Sequence, residues 1–427
     1  MKILWLINIP LPEVSFLLNE NPSPFGGWLI NASKDLANQD GIELFIAFPK
    51  KRVNNYQKIE GEKITYYAFK PILNSEKRIV RSNQMFKDIL NDVKPDLVHI
   101  YGTEFAHSLS LVNVCKAERV KVVISIQGLV SVYSKHIFAS LPLKTIYGFT
   151  LRNLLRKDNV YGEMKSFNKR GKSEIKAIKN VDHIIGRTTW DKACTSHINP
   201  NAKYHFCNET LREEFYKYKW DIENCEKHTI FLSQGQYSIK GLHYVLEAMP
   251  LILKRFPDTK LYIGGKDIIN SKSLKDRLFM TYYGKYIKKL IKRFNLEDNV
   301  FFTGPLNEKD MCKQYLKSNV FVCPSSIENS PNSLGEAMIL GVPSVASDVG
   351  GVSDMLNHRE DGFIYQSDAP YMLAHYVCEI FQNQNLAVKF SRQARKHAMI
   401  THNREENTKR LIEIYGDILG EKGFWDK

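Results

Sequence analysis

The sequence predicts an α/β protein of two doubly wound domains, each built on a parallel sheet. Three observations carry this reading. The chain has 427 residues, more than a single core of ordinary size holds. Its apolar segments are short, continuous and separated by stretches of helical spacing, the pattern of strands covered on both faces by crossover helices. That pattern runs twice along the chain.

The first series places strands at Ile3–Ile7, Leu44–Phe48, Leu97–Ile100, Val120–Ile126 and His183–Ile185. Each is followed by a polar, glycine-containing or helical stretch. The apolar period lapses over residues 197–215, which marks the hinge. The second series places strands at Thr229–Ser233, Lys260–Ile263, Val300–Phe302, Val320–Cys323 and Pro343–Ala346, with helices over Leu242–Phe256 and Asp310–Ser318. A hydrophobic content of 43% is enough to fill two such cores.

Lys and Arg outnumber Asp and Glu by 60 to 46, a net charge of +14 that favours an anionic partner. Residues 135–179 hold much of the excess. Eleven Lys or Arg there face only Asp158, Glu163 and Glu174. Apolar residues from Ile137 and Phe138 to Leu154 and Leu155 are interleaved with them. Such a segment suits a helix lying on an anionic membrane face, and a solvated helix pair capping the first domain is the plainer reading. A second basic stretch, Lys285–Arg293, reads as an ordinary amphipathic helix. The seven cysteines are scattered and none forms a C-x-x-C pair, which argues against a disulfide framework or a zinc site and suits a reducing cytosol. Met1–Pro10 reads as a first buried strand rather than a signal peptide, and no apolar run reaches the length of a membrane span. A basic nucleic-acid-binding protein is the rival from another class. Against it, aromatic and basic residues do not alternate in any strand and no zinc or helix-turn-helix signature is present.

In doubly wound domains ligands bind beyond the carboxyl ends of the strands. Four glycine-bearing stretches fall at such places. In residues 22–37, Gly26 and Gly27 precede a helix whose N-terminal amides suit a phosphate. In residues 233–249, Gly235 is followed by Lys240-Gly241 just before a helix; the spacing is not that of a Walker loop, but Lys240 suits a phosphate as a point charge. The third stretch, residues 262–267, carries Gly264 and by itself signals only a tight turn. The fourth, SSIENSPNSLGEAM over residues 325–338, holds Glu328 and Glu336 and no basic residue. Ser333 and Glu336 have capping-box spacing, so Glu336 has a purely structural explanation. Glu328 follows a strand and has no evident local partner. A helix N-terminus beside two carboxylates that accept from hydroxyls matches a nucleotide-sugar, with phosphates on the amides and ribose and hexose on the glutamates.

The spacing E-x7-E, Glu328 to Glu336, resembles the signature of the retaining glycosyltransferases of family 4, also called group 1. The other parts stand in the expected order. FGGW resembles the family's N-terminal glycine loop, GQYSIKGLHYVLEAM its donor-phosphate loop, FFTGPLNEKDM its base-binding turn, and SDVGGVSDMLNHREDGFIY the segment after the signature helix. The likeness covers nearly the whole chain and is strongest over residues 230–365. It implies the GT-B fold, two Rossmann-like domains facing across a cleft. Residues 1–205 would bind the acceptor and 206–404 the nucleotide-sugar, with a terminal helix over 405–427 packing back on the first domain.

Carried onto these positions, the resemblance implies that Lys240 neutralises the diphosphate, Glu328 contacts the donor hexose and Glu336 holds the ribose. Asn332, Ser333 and Leu334 donate to the phosphates. Gly26, Gly27, Gly235, Gln236, Gly264, Gly304 and Leu306 complete the donor site. In the first domain it points to Gln127 and His107 as the polar groups near the reacting carbon. Two departures stand out. Gln236 occupies the position of the family's arginine in G-R-x-x-x-K-G, and Gln127 that of a strand-end histidine. His107 is equally well explained as a histidine on a helix face.

The activity implied is hexosyl transfer with retention, by front-face substitution in which the leaving phosphate takes the acceptor proton. No protein nucleophile, metal or other cofactor is implied. A UDP-sugar donor, a polyprenyl-diphosphate-linked saccharide acceptor and work at the inner face of the cell membrane in capsule or O-antigen synthesis are the expected setting. A non-catalytic or epimerase-like nucleotide-sugar-binding protein is the alternative. For an epimerase, the first domain lacks a clustered acid/base set.

Overall fold

The computed structural model describes residues 1–22, 26–156, 158–270 and 278–420. The chain forms two compact units. The first holds Met1–Val132, Asn168–Arg212 and the chain from His402 onward; the second holds Tyr133–Phe167 and Glu213–Thr401.

The first unit is built on an eight-stranded sheet in the order β3-β4-β2-β1-β5-β6-β7-β8. These strands are β1 (Lys2–Leu6), β2 (Glu43–Pro49), β3 (Tyr56–Glu60), β4 (Ile64–Phe69), β5 (Leu97–Tyr101), β6 (Lys121–Ser125), β7 (His183–Gly186) and β8 (Lys203–Phe206). All pairings are parallel except the edge pair β3–β4. Successive side chains of a strand point to opposite faces. Accordingly Ile3, Trp5 and Ile7 enter one core and Leu4 and Leu6 the other. The first of these cores is closed by the last helix, Arg404–Leu419, through Leu411, Ile412, Ile414, Tyr415 and Ile418. Tyr415 fixes that helix on the sheet: its hydroxyl accepts from Trp5 Nε1 at 3.0 Å and lies 2.6 Å from His99 Nδ1.

The second unit is built on a parallel six-stranded sheet in the order β11-β10-β9-β12-β13-β14. Its strands are β9 (Glu226–Leu232), β10 (Lys260–Gly264), β11 (Val300–Gly304), β12 (Ser318–Cys323), β13 (Ser344–Ser347) and β14 (Phe363–Tyr365). β12 is buried at every position, as a continuous apolar run at the centre of a two-faced sheet should be. The basic stretch at 285–293 lies in the helix Tyr282–Arg293, which buries Tyr283, Ile287, Leu290 and Ile291 and turns its lysines outward.

The expected strands all form, each within a few residues of its predicted bounds. β3, β4, β8 and β14 were not anticipated. β3 is a polar, largely exposed edge strand and β14 has three residues, so neither carries a strong pattern. The division of the chain also differs from the expected one. The chain passes between units at Arg212/Glu213 rather than at residue 205, and residues 133–167 pack with the second unit rather than the first. The contacts responsible are non-local. Ser238 Oγ donates to Ile137 O at 2.7 Å, His243 Nε2 lies 2.8 Å from Ala139 O, and Tyr282 N donates to Asn153 Oδ1 at 3.0 Å. Within this segment Ile137, Leu141 and Ile146 are buried, while Leu143, Tyr147 and Phe149 are exposed. The side chains of Leu151, Leu154 and Leu155, together with Phe25 and residues 421–427, which the sequence reading placed in the glycine loop and the terminal helix, lie outside the described residues.

Candidate active site

Because β9, β10, β11 and β12 are mutually parallel, their carboxyl ends lie along one edge of the second sheet. That edge and the loops leaving it carry every residue assigned to the donor in the second half of the chain: Gly235, Gln236 and Lys240 after β9, Gly264 ending β10, Gly304 ending β11 and Leu306 after it, and Glu328 with Asn332, Ser333, Leu334 and Glu336 after β12.

Two of these loops are sewn together. Ser326 N donates to Ile239 O at 2.8 Å. Gly241, at φ +72°, starts the helix Leu242–Leu253, and a Cβ there would overlap the carbonyl oxygen of Pro324. Only glycine combines that left-handed backbone with so close an approach. Lys240, the last residue of a short 3₁₀ turn over Ser238–Lys240, is thereby brought against Glu328. Its Nζ lies 2.5 Å from Glu328 Oε1, which also accepts from Ser325 Oγ at 2.7 Å. The expectation that Glu328 lacks a local partner is therefore corrected by Ser325, three residues before it, while its ionic partner lies 88 residues away in sequence. The carboxylate side chain is 8% exposed and the lysine 27%. Burial acts to lower the Lys240 pKa, but the adjacent Glu328 carboxylate outweighs it and holds the ammonium above the ordinary lysine value. The backbone of Glu328 is fixed by Gly351 N, which donates to its carbonyl at 3.2 Å.

The helix after β12 spans Asn332–Leu340, with Pro331 at its N-cap and no side-chain cap. The capping-box reading of Ser333 and Glu336 is thus also corrected. The helix begins before Ser333, because proline is compatible with the N-cap backbone, and Glu336 is a buried residue of the second turn. Leu334 N and Gly335 N both donate to Pro331 O, at 2.9 and 3.2 Å, so of the residues assigned to the phosphates only Asn332 and Ser333 precede the first hydrogen-bonded amide of this helix. Ser333 offers its carbonyl to Tyr315 OH at 2.9 Å.

In the first unit the assigned residues also lie at a carboxyl edge. Gly26, at φ +73°, caps the helix Gly27–Ala37, and a Cβ on Gly27 would come 2.6 Å from Arg212 Cγ and Cδ. His107 opens the helix after β5 but is 4% exposed, with Nε2 2.8 Å from Asn8 Oδ1 and its ring stacked on Phe105. Burial drives its pKa down to about 3, so it is a neutral core histidine bonded to its neighbour. Gln127, after β6, does not meet His107; its Nε2 donates to Glu209 Oε1 at 2.6 Å.

Glu209 is a candidate site group that the sequence reading missed. It stands after β8 and forms a buried ion pair through Oε2 with Arg187 Nη1. Burial raises its pKa, opposed by the Arg187 charge. Arg187 is positioned by a reciprocal cap: Thr188 Oγ1 accepts from Asp191 N at 3.1 Å, while Asp191 Oδ2 accepts from Arg187 N at 2.9 Å. The T-x-x-D spacing at 188–191 is the signal that locates this turn in the sequence. A second missed carboxylate is Glu104, after β5, whose pKa burial pushes up to about 7. Among the described residues no group of three or more His, Cys, Asp or Glu is placed to hold a metal ion.

Two parallel, doubly wound α/β units with ligand-ready loops at their strand ends define the GT-B class of fold. The HepE protein of Anabaena, solved in complex with UDP and glucose, superposes with a TM-score of 0.66 over 98% of this chain and 100% of its own, at 14% identity. Residues 214–397, within the second unit, match the family described as Glycosyl transferases group 1. YtcC of Bacillus subtilis (strain 168) is 29% identical over 210 residues, 48% of this chain and 49% of its own length. The poly(ribitol-phosphate) alpha-N-acetylglucosaminyltransferase of Staphylococcus aureus (strain COL) is 26% identical over 177 residues, 41% of this chain and 33% of its own. The chain therefore spans about half or less of the length of these curated relatives.

Proposed function

We propose that this protein is a retaining glycosyltransferase that moves a hexosyl group from a UDP-sugar to a hydroxyl of a lipid-linked saccharide. The observation that carries the reading is the pairing of Lys240 with Glu328 beside the uncapped start of the helix Asn332–Leu340. An ammonium and free amides suit a leaving diphosphate, whose developing charge they stabilise. Both contacts to Glu328 fall on Oε1, which leaves Oε2 to accept from a donor hydroxyl. Arrival of the diphosphate draws Lys240 from Glu328 and frees that carboxylate for the sugar. The leaving phosphate takes the acceptor proton, so no protein nucleophile is invoked, and Lys240 with the helix N-terminus supplies the positive charge without a metal. Glu336 serves the ribose, and Gln236 contributes hydrogen bonds where the family has a cation.

The UDP assignment is supported by HepE, which was solved with UDP and glucose. The Staphylococcus aureus transferase, named for a polymeric substrate, supports a place in bacterial surface-polymer synthesis. A non-catalytic or epimerase-like role has less support, since the relative named for its activity is a transferase. The segment 135–180, with Leu143, Tyr147 and Phe149 exposed beside its lysines, is proposed to hold the enzyme at the anionic inner face of the membrane.

Thermal shift with UDP-, GDP-, ADP-, CMP- and dTDP-sugars tests the donor. A rise in melting temperature with UDP-sugars, lost in Lys240→Ala, is expected; indifference to every nucleotide would sink the reading. NMR of the anomer released when the donor is hydrolysed reads retention directly. Co-sedimentation with phosphatidylglycerol vesicles, unchanged on replacing Lys144, Lys165 and Lys169 by Gln, would remove the membrane assignment.

A further inference from the structure

The ion pair of the second unit joins loops that leave different strands, Lys240 after β9 and Glu328 after β12. A third stretch of the same unit, residues 136–140, lies against both loops. Three of its backbone carbonyls turn toward them. His136 O accepts from Ser326 Oγ at 3.2 Å, Ile137 O accepts from Ser238 Oγ at 2.7 Å, and Ala139 O lies 2.8 Å from His243 Nε2. Ser140 adds a side-chain hydrogen bond to Tyr244. Ser238 stands two residues before Lys240, and Ser326 two before Glu328. His243 lies in the first turn of the helix that follows Gly241.

The backbone of this stretch is strained. Ala139 and Ser140 are consecutive non-glycine residues at φ +43° and +53°, in the left-handed region that L side chains rarely adopt. Such strain persists only where the surroundings over-determine it, and it gathers at functional sites. The bonds that over-determine it here go to residues beside Lys240 and Glu328. His243 is committed to them. A carbonyl can only accept, so Nε2 carries the ring proton and Nδ1 accepts from Tyr283 OH at 3.3 Å. Burial lowers its pKa to about 4, which keeps this neutral form at ordinary pH.

We propose that residues 136–140 form a clasp that sets the spacing of Lys240 and Glu328, with Ser238, His243 and Ser326 as positioning residues. Resting on the transferase reading above, the clasp holds the lysine for the donor diphosphate and the carboxylate for the donor sugar before either arrives.

Amide hydrogen exchange read by mass spectrometry on the whole protein tests the clasp without any ligand. Lys240 N, Gly241 N and Ser326 N are bonded within the two loops, to Tyr237 O, Ser238 O and Ile239 O. Their exchange should quicken by about fivefold or more in Ser238→Ala and in His243→Leu. His243→Gln, whose amide can donate to Ala139 O, should restore the wild-type rate. Ser326→Ala, at a half-buried position, stands in for His243→Leu if that variant does not fold. Trp220→Phe is the control: in the same unit it removes a buried donor to Ser318 O, at the amino end of β12, and should leave these amides unchanged. Titration calorimetry with UDP then reads positioning. Binding should weaken by about tenfold in Ser238→Ala and His243→Leu, recover in His243→Gln and hold in Trp220→Phe. Loop exchange at the wild-type rate in the clasp variants, looser loops with unchanged UDP affinity, or an equal response in Trp220→Phe overturns the proposal. If the loops loosen and recover as expected but the wild type does not bind UDP, the transferase reading fails while the hold of the clasp on the two loops stands.

Discussion

The two strand edges differ in how they hold charge. In the second unit the polar groups are carried by glycine-marked loops: Lys240 and Glu328 pair across two of them, and a helix begins without a side-chain cap. In the first unit they form a closed web in which Gln127, Glu209, Arg187 and the capped turn at Thr188 hold one another. The first pattern suits a ligand that brings its own charge, because binding exchanges one ion pair for another. The second suits a neutral ligand, because its charges are already spent internally.

The largest effect expected is on Lys240→Ala. Loss of the leaving-group cation should lower kcat by about 100- to 1,000-fold. The stranded, 8%-exposed Glu328 should also cost about 2 kcal/mol of stability in urea melts. A variant that keeps full transferase rate would show that the charge is supplied elsewhere. Glu209→Gln is the matching test of the first edge. It leaves Arg187 buried without its counter-charge and should cost about 3 kcal/mol, while the UDP-dependent thermal shift stays as in the wild type. A nucleotide-dependent shift that falls as steeply as in the lysine variant would show that Glu209 serves nucleotide binding.

Gly241→Ala comes next. At φ +72° and against Pro324 O, the methyl should cost about 2 kcal/mol and weaken UDP binding by displacing Lys240; equal stability would refute the tight apposition of the two loops. A pH test sharpens the contrast. Burial raises Glu104 from the ordinary 4.5 to about 7, so the folded state binds that proton more tightly than the unfolded chain. Its contribution to stability is complete below pH 4.5 and is lost as the pH rises through about 7. Glu104→Gln should flatten that part of the stability profile, and an unchanged slope would assign it to other groups. The smallest effect is Tyr415→Phe, at about 1 kcal/mol in the same melts, for the hydroxyl that joins the terminal helix to Trp5 and His99.

Much of the second edge was legible in the sequence, and much of the first was not. Lys240, Glu328, Asn332 and Glu336 stand within short glycine- and proline-marked stretches, so local pattern finds them. Gln127 was found as a position, but its partner Glu209 lies 82 residues away in a stretch with no regular period. His107 has the composition of a functional histidine and the environment of a core one, 4% exposed and bonded to Asn8, a distinction only packing makes.

The sequence by itself determined the α/β class, the placing of the main strands and the glycine-marked loops that follow them. These depend on side-chain alternation and backbone freedom, which act between near neighbours. The tertiary structure alone decided that Lys240 closes on Glu328, that residues 133–167 pack with the second unit, and that Arg187, Glu209 and Thr210 share a pocket. Those outcomes join residues far apart along the chain. They are set by which surfaces and polar groups find complementary partners when the cores close, and no local periodicity encodes that choice.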